Sequence, residues 1–160
     1  MAPPSAESVR IRPLGSDDAE PLGVLFAELR EDPDSVHFHP HPFTTDEARR
    51  IAERRGILQD LYFGAFLDDR LVGYGMLRGW DEGYVIPSFG VAVGSTYRGL
   101  GVGRLLLRSA ISMARARGAQ TMMLKVHPEN SSAKHLYESE GFIFDPVPVA
   151  GGQLKGLLAL

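Results

Sequence analysis

Residues 91–103 read V-A-V-G-S-T-Y-R-G-L-G-V-G, a glycine-rich turn between an apolar strand and a helix, and no other stretch constrains the possible folds so tightly. Gly99, Gly101 and Gly103 remove Cβ atoms where the chain turns, so the backbone is free to take positive φ and to approach a ligand closely. Beyond them Val102, Leu105, Leu106, Ser109, Ala110 and Met113 recur at three- and four-residue spacing, which predicts an amphipathic helix starting inside the turn and packed on a sheet. The first N–H groups of such a helix lack intrahelical partners and carry about half a positive charge, so they favour a phosphate or diphosphate. Arg98 and Arg104 add full charges on either side.

Whole-chain properties narrow the function classes. The 160 residues, 44% hydrophobic, suffice for one sizeable core and are short for two, so a single domain over 1–160 is expected, with residues 1–7 disordered. A net charge of −3 provides no electrostatic footprint for nucleic acid, and no clustered basic tract marks a membrane surface. With no cysteine, disulfides, thiolate metal sites and a cysteine acyl-enzyme are excluded. The start M-A-P-P-S-A-E-S has neither a basic nor an apolar leader region, and no apolar run reaches the length of a membrane span; a cytoplasmic location is expected.

Local patterns predict the element order β-α-α-β-β-β-α-β-α-β-β. Val9, Ile11 and Leu14 mark a first strand, and Leu22, Leu25, Phe26 and Leu29 one face of a helix that ends at Asp32-Pro33-Asp34. Thr44 and Glu47 form a capping-box pattern ahead of a short helix that stops before Gly56. Residues 61–67 and 70–78 read as a hairpin turning at Asp68-Asp69, and 86–93 as the next strand. Thr121 to Val126 reads as a strand buried on both faces, Asn130 as the cap of a short helix closed by Gly141, and 142–149 and 153–160 as two last strands. Such an order implies an α/β fold with a mixed sheet and helices on both faces.

The glycine spacing discriminates among nucleotide sites. The dinucleotide fingerprint G-x-G-x-x-G fits poorly, because these glycines fall at alternate positions, and no Gly-Lys-Ser/Thr follows for a Walker A loop. The run resembles instead the R-x-x-G-x-G loop of the GNAT acetyltransferase superfamily, with Arg98, Gly101 and Gly103. The later segment Leu124, Val126, Asn130, Ala133, Leu136, Tyr137, Glu138, Gly141 and Phe142 matches that family's L-x-V-x-x-x-N-x-x-A-x-x-L-Y-E-x-x-G-F in order and without a gap. Together the two motifs cover residues 86–142.

The resemblance implies a mostly antiparallel sheet with one splayed parallel pair, and acetyl-CoA bound in the splay as acetyl donor. It assigns the cofactor to the edge Val91, Ala92 and Val93, to the loop Arg98, Gly99, Leu100, Gly101, Val102, Gly103 and Arg104, and to Asn130. Tyr137 becomes the candidate acid, protonating or hydrogen-bonding the leaving thiolate. The base is left open: no carboxylate lies between Val85 and Val93, so Glu82, His127 and a water relayed by backbone or Ser88 all stand as candidates. A Val93 N–H is the expected oxyanion donor.

Acceptor-side residues are read from position. His37, His39 and His41 alternate with Phe38 and Pro40 where relatives build an acceptor wall; they would line substrate, form a structural loop or chelate a metal, and no metal is predicted because no carboxylate or cysteine matches their spacing. Trp80, with Arg78, Asp81, Glu82 and Tyr84, forms either the opposite wall or a polar loop with one tucked aromatic. The expected activity is direct acetyl transfer from acetyl-CoA to a primary amine, chiefly of a small molecule, without nucleic-acid or membrane partners. A protein N-terminus or lysine as acceptor, a non-catalytic acyl-CoA sensor, and a homodimer are further expectations of the resemblance.

Overall fold

The computed structural model describes residues 5–36 and 38–160, and the elements follow the predicted order. Strands β1 (Val9–Pro13), β2 (Leu61–Leu67), β3 (Arg70–Arg78), β4 (Ser88–Val93), β5 (Thr121–Val126), β6 (Ile143–Phe144) and β7 (Leu154–Ala159) form one sheet in the order β1-β2-β3-β4-β5-β7-β6. Every neighbouring pair is antiparallel except β4–β5. Helices α1 (Ala19–Glu31) and α2 (Thr45–Glu53) cover one face, and α3 (Val102–Ala116) and α4 (Ser131–Ser139) the other.

Local chemistry fixes the joints. Asp68 takes φ +52° in the two-residue turn of the β2–β3 hairpin, where Leu67 pairs with Arg70, as the right-handed strand twist requires. Thr44 Oγ1 accepts from Glu47 N–H at 3.1 Å, but the Glu47 carboxylate pairs with Arg50 at 2.6 and 2.9 Å instead of closing the capping box. Asn130 Oδ1 accepts from Ala133 N–H at 3.3 Å as the cap of α4, and Gly141 ends that segment with φ +102°.

Two cores lie on opposite sides of the sheet. Leu22, Leu25, Phe26 and Leu29 of α1 pack with Ile51 of α2 on Phe66, Leu71, Tyr74 and Met76. Leu106, Leu107, Ala110 and Ala114 of α3 pack on Phe89, Met122, Leu124 and Val126. The first core draws its fully buried strand residues from β2 and β3, with Ala92 of β4 packed at its edge, so α1 and α2 leave their face of β5 and β7 uncovered.

That asymmetry corrects the reading of β5. Met122, Leu124 and Val126 are buried while Thr121, Met123 and Lys125 are not, so the strand is buried on one face only. The predicted strand over 142–149 shortens to Ile143–Phe144, because Pro146 and Pro148 have no N–H to give a ladder. Of the segment 1–7, Ala6 and Glu7 fall with Ser8 in a 3-10 turn in which Ser8 N–H donates to Ser5 O at 3.1 Å, and residues 1–4 lie outside the described residues.

Candidate active site

The β4–β5 ladder holds for only two pairs, Ser88 with Met123 and Phe89 with Leu124, while β4 continues to Val93 along β3. Beyond Phe89 the two strands part. In an extended strand successive backbone groups point to opposite sides. Pro87 O accepts from Met123 N–H of β5 at 3.0 Å, and Gly94 N–H donates to Val72 O of β3 at 2.8 Å. By that alternation Val91 and Val93 direct their N–H groups into the gap, whereas Ala92 directs its backbone towards β3. Ala92 is thereby removed from the predicted binding edge.

Behind the gap stands the N-terminus of α3. Gly99 and Gly101 take φ +75° and +86°, values that L side chains rarely adopt. Gly101 is the N-cap and supplies no side-chain acceptor, and the first turn carries no acidic residue. Leu105 N–H donates to Gly101 O at 3.1 Å, so the N–H groups of Val102, Gly103 and Arg104 lie ahead of the first helical bond. Gly103 is helical and not at positive φ, and an added Cβ would meet Leu136 Cδ2 at an ordinary 3.9 Å, so its place in the loop rests on its N–H rather than on its missing side chain. Leu100 is partly buried and Val102 buried against the same core, so both contribute backbone rather than side chains.

The two flanking arginines are already paired. Arg98 pairs with Asp32, donates to Ser35 Oγ at 3.4 Å and through Nε to Val93 O at 3.0 Å. Burial pushes the Asp32 carboxyl up, but the hydrogen bonds from Arg98 and Asp34 N–H together hold it below the ordinary value. Arg104 pairs with Glu140, which Arg108 and then Arg104 hold low as well. The uncompensated positive potential at this end of α3 comes from main-chain amides.

Tyr137 is 8% exposed on α4, its ring edge-on to Phe89 (6.4 Å, 88°) and Phe142 (6.0 Å, 62°). Burial pushes its hydroxyl pKa up to about 12. Among the described residues no group hydrogen-bonds that hydroxyl.

Phe89 also lines a cavity of about 1090 Å³ on the uncovered face of the sheet. Glu82, His127, Ser88 and His39 reach this cavity, so both base candidates and one histidine of the predicted wall meet there. His127 Nδ1 lies 3.3 Å from Glu129 N–H and 3.9 Å from the Glu129 carboxylate, so that nitrogen is engaged by its own loop.

Two predicted acceptor residues do not reach the cavity. His41 is half-buried at the edge of the α1 core: Nδ1 meets Pro42 O at 2.8 Å and Nε2 meets Tyr74 Oη at 3.1 Å, and desolvation lowers its pKa. Trp80 packs against the α3 core beneath the Arg117 guanidinium, 4.9 Å from the ring centroid. His37 lies outside the described residues. Sequence reasoning missed Lys125 and Lys155 in the cavity wall; the polar Lys125 within an otherwise apolar strand was the available signal. No group of three or more metal-ligating side chains occurs among the described residues.

A mixed sheet split at its one parallel pair, with an uncapped helix end behind the split and an open cavity before it, defines an α/β protein built around a two-sided ligand wedge. A sequence model of the Acetyltransferase (GNAT) family matches residues 25–142, and the chain belongs to that family. It is 32% identical over 124 residues to streptothricin acetyltransferase of Streptomyces lavendulae, an alignment of 76% of this chain and 64% of that protein. It is 31% identical over 151 residues to mycothiol acetyltransferase of Rhodococcus jostii, covering 87% of this chain and 46% of that one. The chain thus spans about half to two thirds of the length of these relatives. The crystal structure of a PaiA N-acetyltransferase from Thermoplasma acidophilum in complex with coenzyme A superposes with a TM-score of 0.78 at 20% identity, over 96% of this chain and 99% of that one.

Proposed function

We propose that this protein is an acetyl-CoA-dependent N-acetyltransferase acting on a primary amine of a small molecule. The observation that carries the reading is the end of the β4–β5 ladder at Phe89 and Leu124, which opens the sheet onto the uncapped N-terminus of α3. Family membership and two relatives named for acetylating streptothricin and mycothiol support the activity, and the coenzyme A in the Thermoplasma structure supports the donor.

Acetyl-CoA brings an activated thioester, and the residues present fit it. The N–H groups from Gly99 to Arg104 hold the diphosphate, because anions favour an uncapped helix start without acidic side chains. The free edge at Val91 pairs with the amides of the pantetheine arm, in the manner of an added strand, while Val93, whose carbonyl Arg98 Nε occupies, keeps its N–H for the thioester. Asn130 keeps its Oδ1 for the α4 cap and offers its amide N–H groups to the same arm. Val93 N–H is the donor placed to stabilise the carbonyl oxygen as negative charge develops.

Tyr137 hydrogen-bonds the departing sulfur and keeps its own proton. Burial pushes its pKa up to about 12, which keeps the phenol neutral and able to donate a hydrogen bond to the developing thiolate. Among the described residues Glu82 is the one carboxylate that lines the cavity, and it is the preferred proton acceptor for the attacking amine, directly or through water held at Ser88.

Calorimetry with acetyl-CoA, followed by thiol release across a panel of amines and peptides, tests the assignment. Binding with turnover on small amines is expected. Turnover on peptides alone assigns a protein acceptor, and binding without any turnover assigns an acyl-CoA sensor.

A further inference from the structure

The cavity on the uncovered face carries an excess of positive charge that nothing in the acetyl-transfer reading requires. Lys125 of β5 and Lys155 of β7 are register partners in the antiparallel ladder, so they stand directly opposite on one face, and both line the cavity. Like charges in that position destabilise a strand pair. Arg78, at the end of β3, lines the cavity from the other side, held there by donation to Pro40 O. Among the described residues no carboxylate lies within ion-pair distance of any of these three cations, and Glu82 is the only acidic residue in the lining.

A chain with a net charge of −3 has therefore gathered around one open space three cations that make no ion pair among the described residues, Arg78 having only the more distant Glu47. They do not belong to the diphosphate site, because no residue of 94–103 lines this cavity. Lys125 follows Leu124, the last β5 residue paired with β4, so it stands at the level where the strands part. Phe38, Met76, Ile86 and Met123 add an apolar part to the wall.

We infer that the acceptor is an amine that carries a carboxylate and an apolar body, its carboxylate received by Lys125, Lys155 and Arg78. Charge-assisted hydrogen bonds from these groups would relieve their mutual repulsion and orient the amine away from them, towards the split at Phe89 and Gly90. The same cations disfavour the protonated form of a nearby amine, which helps present the free base that attack requires. Polycationic acceptors are disfavoured for the same reason. The inference rests on the acetyl-transfer reading and adds the substrate class to it.

The test measures binding of N-acetyl-L-phenylalanine and of its uncharged amide to the protein saturated with coenzyme A, by calorimetry. The acid is expected to bind at least tenfold more tightly. Lys125→Ala with Lys155→Ala should bring that ratio close to one without changing coenzyme A affinity, and Lys125→Glu with Lys155→Glu should invert it. Thiol release with phenylalanine against phenethylamine should follow the same order. Equal binding of acid and amide, or binding of neither, with coenzyme A in place would overturn the inference. Absence of coenzyme A binding would instead overturn the acetyl-transfer reading, and this inference with it.

Discussion

Tyr137→Phe separates chemistry from packing unusually cleanly in this protein. The Tyr137 ring is held by edge-on contacts with Phe89 and Phe142, both of which phenylalanine keeps. Its hydroxyl receives no hydrogen bond from the described residues, and burial alone pushes its pKa to about 12. No solvent-excluded side-chain oxygen or nitrogen among the described residues lacks a partner, so the Tyr137 hydroxyl keeps contact with solvent at the gap, and removing it should leave the stability of the free protein nearly unchanged. Loss of one preorganised donor to developing charge typically lowers kcat by about 10²–10³, or about 2.7–4 kcal/mol in the barrier. The assay therefore has three arms: urea unfolding, acetyl-CoA affinity by calorimetry, and kcat by thiol release. Expected are a nearly unchanged urea midpoint, an affinity within about twofold, and a kcat lowered at least a hundredfold. Because the hydroxyl keeps its proton until pH nears 12, wild-type kcat should show no alkaline fall attributable to it below about pH 11. An unchanged kcat would refute the role of the hydroxyl, and a fall in kcat that merely tracks lost stability would refute the argument from packing.

Three other perturbations probe separate parts of the wedge. Gly101→Val forces a branched side chain to φ +86°, at a cost of about 1–2 kcal/mol, and should weaken acetyl-CoA binding at least tenfold by calorimetry; unchanged affinity is incompatible with the proposed loop. Gly90→Ala places a methyl 3.1 Å from Met76 Cγ and 3.5 Å from Phe38 Cε2, so it should raise the acceptor KM while acetyl-CoA affinity stays constant, and a matched loss of both would argue against separate subsites. His41 is held below its ordinary pKa of 6.5 by burial, so as pH falls the unfolded chain takes up that proton first. Stability is then fully present above about pH 6.5 and declines below it by up to about 1.4 kcal/mol per pH unit; urea midpoints between pH 8 and 5 should show this slope, and His41→Asn should lack it.

The features legible in the sequence are those set by near neighbours. Gly99 and Gly101 were readable because only glycine adopts their φ cheaply, and Thr44 and Asn130 because a cap bonds an amide three residues ahead. The hairpin at Asp68-Asp69 is equally local. What stayed hidden depends on which distant element arrives. Arg98 reads as a free cation until Asp32, 66 residues earlier, occupies it. His41 reads as one of three equivalent imidazoles until Tyr74, 33 residues later, draws it to the edge of the core, leaving His39 on the cavity wall.

Lys125 shows the boundary between the two kinds of residue. Its alternation with Met122, Leu124 and Val126 was visible and implies a one-sided strand, yet the apolar run was read as buried on both faces. Its meaning, however, required the register that sets Lys155 opposite and the absence of α1 and α2 over that face. A cationic cavity is thus a property of the assembled sheet. The proposed anion site at α3 is written in one continuous stretch, whereas the residues proposed to select the acceptor are spread over β3, β5 and β7. The donor site is accordingly recognisable from a motif, and the acceptor only from the fold.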